Sequence, residues 1–299
     1  MVISARITPK VIMLGLALQA ALWLGADTLD VLGLTPFGLH AAPIVRWSGG
    51  ILAYLLAFIL NLEVASEYRN ARWLRLAWLA LAGNAAVSIG RLIVESRTLM
   101  HIWPGAVEQG MPGLLQHIAI VPANIFLLVG VLAMCWAYHQ VGLGFTIKRQ
   151  DWLEVLGIAV LLAVIFIFRE GLTEARSPFV TGRVLQQIGL VLLACVAAIS
   201  VILHRQAMEM GGGKLALALR LLTLYALLRG GLVLGQIILR TFFADWAQVS
   251  RIDHYVFLLA WQLVPWIAAL AAAHRAELTV NAAEKLKERR AARAAVASA

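Results

Sequence analysis

The sequence predicts an all-α fold, a polytopic transmembrane bundle of about eight helices. Hydrophobic residues make up 62% of the 299 positions, mean hydropathy is +0.84, and only 14% of residues are charged, where soluble domains carry about 25%. A soluble protein of this length has no core large enough to hide so much apolar surface. The apolar residues also form long, nearly continuous runs, which favour helices over the short alternating strands of a membrane barrel.

Each predicted span is an apolar run close to the roughly 20 residues that a helix needs to cross the hydrocarbon layer. In chain order the spans cover 11–29, 47–66, 73–95, 114–139, 152–170, 180–204, 215–239 and 251–274. The first run follows Arg6 and Lys10, as a signal peptide would, but Asp27 follows it directly without a clear small-x-small cleavage site. We therefore interpret it as a retained span.

The distribution of basic residues predicts the orientation. With the N-terminus inside, sixteen Lys and Arg residues fall on the inner side and seven on the outer side. Because cytoplasmic loops are enriched in these residues, we predict a plasma (inner) membrane protein with both termini in the cytoplasm. The same enrichment accounts for the net charge of +9. The lipid bilayer is thus the predicted partner, and nucleic acid is not.

Two domains are predicted, a transmembrane domain over residues 1–274 and a basic cytoplasmic tail helix over 275–299. The tail is rich in Ala, Glu, Lys and Arg, and it is strongly basic from Lys285 to Arg293. One interpretation is a helix that rests on anionic lipid headgroups. The other is a signalling helix that binds a partner protein, and the sequence leaves both open.

An internal duplication is a further hypothesis. A shift of 145 residues places the first four spans on the last four, with Arg75 on Arg220 and Gly90 on Gly235. Such a shift would give two four-span repeats of the same orientation, as in parallel transporter repeats. The identity is thin and the second span aligns poorly, so a chain without duplication remains the alternative.

The main candidate for a binding residue is Arg229, near the middle of the seventh span. A central Arg costs about 2.5–3.5 kcal/mol on insertion scales, so it is expected to face the bundle interior or a wet cavity. The following Gly230 and Gly231 permit close helix approach or local unwinding. Arg229 is interpreted either as an anchor for an anionic group, since its guanidinium forms paired hydrogen bonds, or as half of a structural ion pair.

Other polar residues gather in the predicted outer half. Arg91 and Glu95 are four residues apart on the third span and share a face. The remaining ligand-binding candidates are His117, Asn124, Gln187, Gln236 and His254. Together with Arg229 they predict a polar cavity open to the extracytoplasmic side. The alternative is that they are helix ends that reach water.

Catalytic and metal sites are not predicted. The sequence has no HExxH, no GxSxG and no phosphate-binding glycine loop. The histidine pairs that share the fourth and eighth spans are about 30 Å apart along their helices, which places them at the interfaces and disfavours haem. We assign no catalytic residue, metal ligand or cofactor, and an enzyme is the less favoured class.

Three functions remain. The first is a module that senses a signal or ligand, supported by the outer polar residues and the charged helix after the last span. The second is a secondary transporter of a small anionic or amphipathic solute, supported by the duplication and the glycines beside Arg229. The third is an accessory subunit or a lipid-modifying enzyme, in which an Arg holds a lipid phosphate.

Overall fold

The structure is a computed structural model that describes residues 7–34, 41–95, 111–140, 149–150, 153–154, 156–157, 160–161, 180–242 and 259–297. All regular secondary structure in these ranges is helical. The long helices are α1 (Pro9–Val31), α2 (Ala41–Glu67), α3 (Arg72–Glu95), α4 (Met111–Gln140), α5 (Val180–Glu209), α6 (Lys214–Phe242) and α7 (Leu259–Ala297).

The helical membrane bundle is confirmed. The first six helices contain segments long and apolar enough to cross a membrane, and each of them matches one predicted span. The predicted eighth span, 251–274, overlaps α7 from Leu259 onward, and its first eight residues lie outside the described residues. The predicted fifth span, 152–170, lies mostly outside the described residues, although its residues 153–154, 156–157 and 160–161 are helical. The count of eight, the duplication and the orientation therefore stay predictions.

Six helices form a closed ring. Contacts join α2 to α3, α3 to α4, α4 to α5, α5 to α6, α6 to α7, and α7 back to α2, while α1 packs outside the ring against α2 and α7. Small residues permit these close approaches, as is common between membrane helices. Gly83 of α3 faces the Phe126 ring of α4, and Gly130 of α4 faces Leu81 of α3.

Contacts at one end of the ring, here called the lower rim, show that two helices begin there. Arg275 of α7 lies over the ring of Tyr68, in the turn that precedes α3, at 5.0 Å from the ring centroid. Two residues later, Glu277 pairs with Lys214, the first residue of α6, at 2.5 Å. Consequently α3 and α6 begin at the same rim and run in the same direction. The lower rim corresponds to the predicted cytoplasmic side.

Candidate functional site: a buried hydrogen-bonded chain in the ring interior

Arg229 lies deep inside the ring, with 2% of its surface exposed. It comes fifteen residues after Lys214, which places its backbone about 22 Å from the lower rim at 1.5 Å per residue. That depth falls within a hydrocarbon layer of about 30 Å. Its burial agrees with the sequence-based expectation of an inward-facing Arg, and its central depth in the membrane stays a prediction.

The two glycines after Arg229 do not interrupt the helix, because α6 is continuous from Lys214 to Phe242. A Cβ at Gly230 would lie 3.4 Å from Leu193 and 3.6 Å from Ala197 of α5, whereas a Cβ at Gly231 would meet nothing within 4 Å. A side chain at Gly230 would make only ordinary van der Waals contact with α5, so neither glycine is required for close helix approach, and local unwinding of α6 is absent.

Arg229 begins a chain of hydrogen bonds that crosses the ring. Its Nη1 donates to the Tyr225 hydroxyl at 2.9 Å, Tyr225 donates to Asn84 Oδ1 at 2.7 Å, and Asn84 Nδ2 donates to the Ala123 carbonyl oxygen at 2.6 Å. All four residues are at least 98% buried. The chain joins α6 to α3 and α3 to α4, and the buried Tyr54 of α2 interacts with both Tyr225 and Arg229.

The direction of every bond in this chain follows from its last member. The Ala123 carbonyl only accepts, so Asn84 turns its NH₂ group toward it and leaves Oδ1 as an acceptor. Tyr225 therefore donates its single hydroxyl proton to that Oδ1, and the Tyr225 oxygen accepts a hydrogen bond from Arg229. Such aligned bonds polarise one another. The chain is therefore directional, with the positive charge at one end.

The guanidinium has unused hydrogen-bonding capacity. Arg carries five N–H donors, and within the described residues Nη1 to Tyr225 is the one hydrogen bond of Arg229. The two groups that interact with it electrostatically are the phenol side chains of Tyr225 and Tyr54. Among the described residues, no carboxylate pairs with the buried guanidinium.

Asn124, another predicted ligand-binding residue, directly follows Ala123, the last member of the hydrogen-bonded chain, and is fully buried. Its Nδ2 donates to the Gly189 carbonyl oxygen at 3.0 Å and so joins α4 to α5. Its Oδ1 has no hydrogen-bond partner among the described groups. The contact is thus interhelical, and the ligand-binding role of Asn124 stays a prediction.

The other candidates are placed less completely. Arg91 is partly buried on α3, where it takes part in a polar interaction. Glu95, His117, Gln187 and Gln236 lie on α3, α4, α5 and α6 with side chains outside the described set, and His254 lies outside the described residues. The predicted outer cavity and the roles of these residues therefore stay predictions.

Three residues of the site were missed from the sequence, namely Tyr225, Asn84 and Tyr54. One signal was present, because Tyr225 stands four positions before Arg229 and so shares its face of α6. A second signal is that Asn84 is a polar residue in the middle of the third span. Because burying an unpaired polar group in lipid is costly, this position predicts an inward-facing, hydrogen-bonded side chain, as it does for Arg229.

A second polar contact holds α1 against the ring. Gln19 donates through Nε2 to the Val45 carbonyl oxygen at 2.9 Å and to Gln262 Oε1 at 3.2 Å, so one amide links α1 to both α2 and α7. Gly49 of α2 leaves the space for this amide, since a Cβ there would overlap it. The contact accounts for a polar residue at 5% exposure in the first span.

No family model matches this chain, and no curated protein or solved structure is significantly similar to it.

Proposed function

We propose that the protein is a ligand-sensing membrane module in which an anionic group binds Arg229 inside the helical ring. The observation that carries this proposal is a guanidinium with 2% exposure whose polar partners among the described residues are phenols and not carboxylates. An uncompensated charge buried in protein costs several kcal/mol, and ionisable residues within a membrane usually mark a site with a partner. A bound anion would supply the missing counter-charge.

The hydrogen-bonded chain prepares Arg229 for such a ligand. Since Tyr225 is itself fixed by Asn84, the bond from Nη1 to Tyr225 holds the guanidinium in one orientation. A fixed fork loses less side-chain freedom when it pairs with an oxyanion. Tyr225 and Asn84 thus act in this proposal as positioning residues.

Output would pass through α7. This helix contacts α6 at the Lys214–Glu277 pair and continues without interruption to Ala297. A shift of α6 on ligand binding would therefore change the position of the tail over 275–299. The receiver would be a partner protein or the anionic membrane surface.

Transport is the competing proposal, and one of its supports is now gone. Many transporters bind substrate at discontinuous helices near the midplane, whereas α6 is continuous past Gly230 and Gly231. This continuity favours binding without passage.

The first test is the thermal stability of the purified protein in detergent with a panel of small inorganic anions, carboxylates and lipids. The wild type is compared with Arg229→Gln and with Arg220→Gln, a control on the same helix that changes an arginine bonded to the Gly211 carbonyl oxygen at 3.1 Å. At 100-fold excess over Kd, a ligand adds about 2.7 kcal/mol. We expect a rise of several degrees in wild type and Arg220→Gln, and none in Arg229→Gln.

Two results would overturn the proposal. One is that no anion stabilises the wild type. The other is that the stabilising anion acts equally on Arg229→Gln. Flux of the same ligand into proteoliposomes then separates the two functions, because a sensor binds without moving its ligand, and flux that depends on Arg229 would establish transport instead.

A further inference from the structure

We infer that Ser88 of α3 is a second ligand-contacting residue beside Arg229, and that the site takes a monocarboxylate. This inference rests on the proposed function and adds to it a named contact and a ligand class. Its supports are an unsatisfied buried hydroxyl, the relative direction of two helices, and the charge of the site.

The hydroxyl of Ser88 differs from other helical hydroxyls of this protein. Thr28, Ser48 and Ser200 each donate to the carbonyl oxygen four residues earlier, at 2.8, 2.8 and 2.6 Å, which is the usual way in which Ser and Thr are satisfied within a helix. Ser88 is 97% buried, yet its Oγ has no hydrogen-bond partner in the described part of the chain. Twelve buried side-chain atoms of the described residues lack a hydrogen-bond partner, and Ser88 Oγ is the one hydroxyl among them.

The placement of Ser88 on α3 suggests a partner for its unpaired hydroxyl. Ser88 follows Asn84 by four residues and Arg229 follows Tyr225 by four residues, so each lies on the same helix face as the residue before it. Because α3 and α6 run in the same direction, the backbones of Ser88 and Arg229 lie about 6 Å, or one turn, to the same side of Asn84 and Tyr225. The side chain of Arg229 reaches back from there, and its Nη1 lies 2.9 Å from the Tyr225 hydroxyl. The bond between Asn84 and Tyr225, at 2.7 Å, holds the two helix faces together. The free hydroxyl and the guanidinium therefore border the same part of the ring interior.

Charge and donor number then define the ligand. Arg229 supplies a single positive charge, and a buried dianion such as hydrogen phosphate would leave one negative charge uncompensated. A monocarboxylate matches the charge and offers two oxygens, one for the guanidinium fork and one for the Ser88 hydroxyl. The carboxylate belongs either to a water-soluble acid or to a fatty acid that enters from the bilayer.

The test measures equilibrium binding of sodium propionate and sodium decanoate to wild type, Ser88→Ala and Ser200→Ala in detergent. Ser200 is a matched control, since it is equally buried but is satisfied by the Val196 carbonyl oxygen. Loss of a hydrogen bond to a charged group corresponds to a change in Kd of about tenfold or more. We expect that loss for Ser88→Ala and unchanged Kd for Ser200→Ala. Binding of propionate indicates a soluble acid, and binding of decanoate alone indicates a lipid source.

Folding is checked by the stability of the ligand-free proteins. Ser88→Ala removes a hydroxyl that has no described partner, so we expect it to be at least as stable as wild type, whereas a structural role for that hydroxyl predicts a loss. Arg229-dependent carboxylate binding that Ser88→Ala leaves intact would refute the role of Ser88 and leave the proposed function standing. Tighter binding of phosphate than of either acid would refute the ligand class, and the absence of any Arg229-dependent anion binding would refute both proposals.

Discussion

Replacement of Tyr225 by Phe removes one oxygen from the centre of the ring and keeps the aromatic volume. Two bonds are lost at once, because the hydroxyl accepts from Arg229 and donates to Asn84. Hydrogen bonds to charged groups contribute about 1.5–3 kcal/mol, and an orphaned buried acceptor costs about 1–3 kcal/mol. Since single interhelical bonds in membrane proteins measure lower, about 0.6–1.7 kcal/mol, we expect a total loss of about 2–4 kcal/mol.

The assay for Tyr225→Phe is reversible unfolding in mixed micelles with increasing dodecyl sulfate, followed by helical circular dichroism. Tyr138→Phe on α4 is the control, since Tyr138 is 5% exposed and belongs to no hydrogen-bonded chain of the described residues. We expect the control to cost less than Tyr225→Phe, because the removed hydroxyl has no described hydrogen-bond partner and its loss leaves no described polar group unsatisfied. Equal losses for the two variants would show that the chain contributes nothing to stability and would remove the positioning role of Tyr225.

Three further predictions concern the rest of the fold. Gly49→Ala should destabilise the protein by about 1–3 kcal/mol, because the added Cβ overlaps the buried Gln19 amide that holds α1 against the ring. Gly25→Ala, whose Cβ meets nothing within 4 Å, should not destabilise it. The same unfolding assay compares the two variants, and equal effects would contradict this role of the Gln19 contact. Lys214→Glu should weaken the contact of α6 with α7 by about 0.2–1 kcal/mol, and the double variant with Glu277→Lys should recover that stability. Both are measured by unfolding in low salt, and a double variant that does not recover would contradict the prediction. Deletion of residues 281–299 should leave ligand binding and thermal stability unchanged while it abolishes downstream output, and unchanged output would remove the signalling role of the tail.

The helices were predictable because hydrophobic length is a local property of the sequence. Runs such as 73–95 and 180–204 appear in the structure as α3 (Arg72–Glu95) and α5 (Val180–Glu209). The order of helices around the ring was not predictable. In a membrane most faces of a helix are apolar, and contacts depend on small residues such as Gly83 and Gly130, whose partners on another helix a single sequence does not identify.

The candidate site divides in the same way. Arg229 stood out because a central charge in a span is costly wherever it lies, and the structure places it in the interior. Its connection to Asn84 was not visible, since Tyr225 and Asn84 are 141 residues apart in sequence. The sequence groups Asn124 with Arg229 by predicted depth alone. Depth does not specify direction around the helix axis, so the sequence does not predict the bond from Asn124 to Gly189.

The uninterrupted course of α7 gives the protein a mechanical property. Twenty residues follow Glu277 within this helix, a length of about 30 Å at 1.5 Å per residue. For a straight helix of that length, a tilt of 10° about Glu277 corresponds to a displacement of about 5 Å at its end, close to one helical pitch. In the proposed sensor, a tilt of α7 would therefore produce its largest displacement at the far end of the helix.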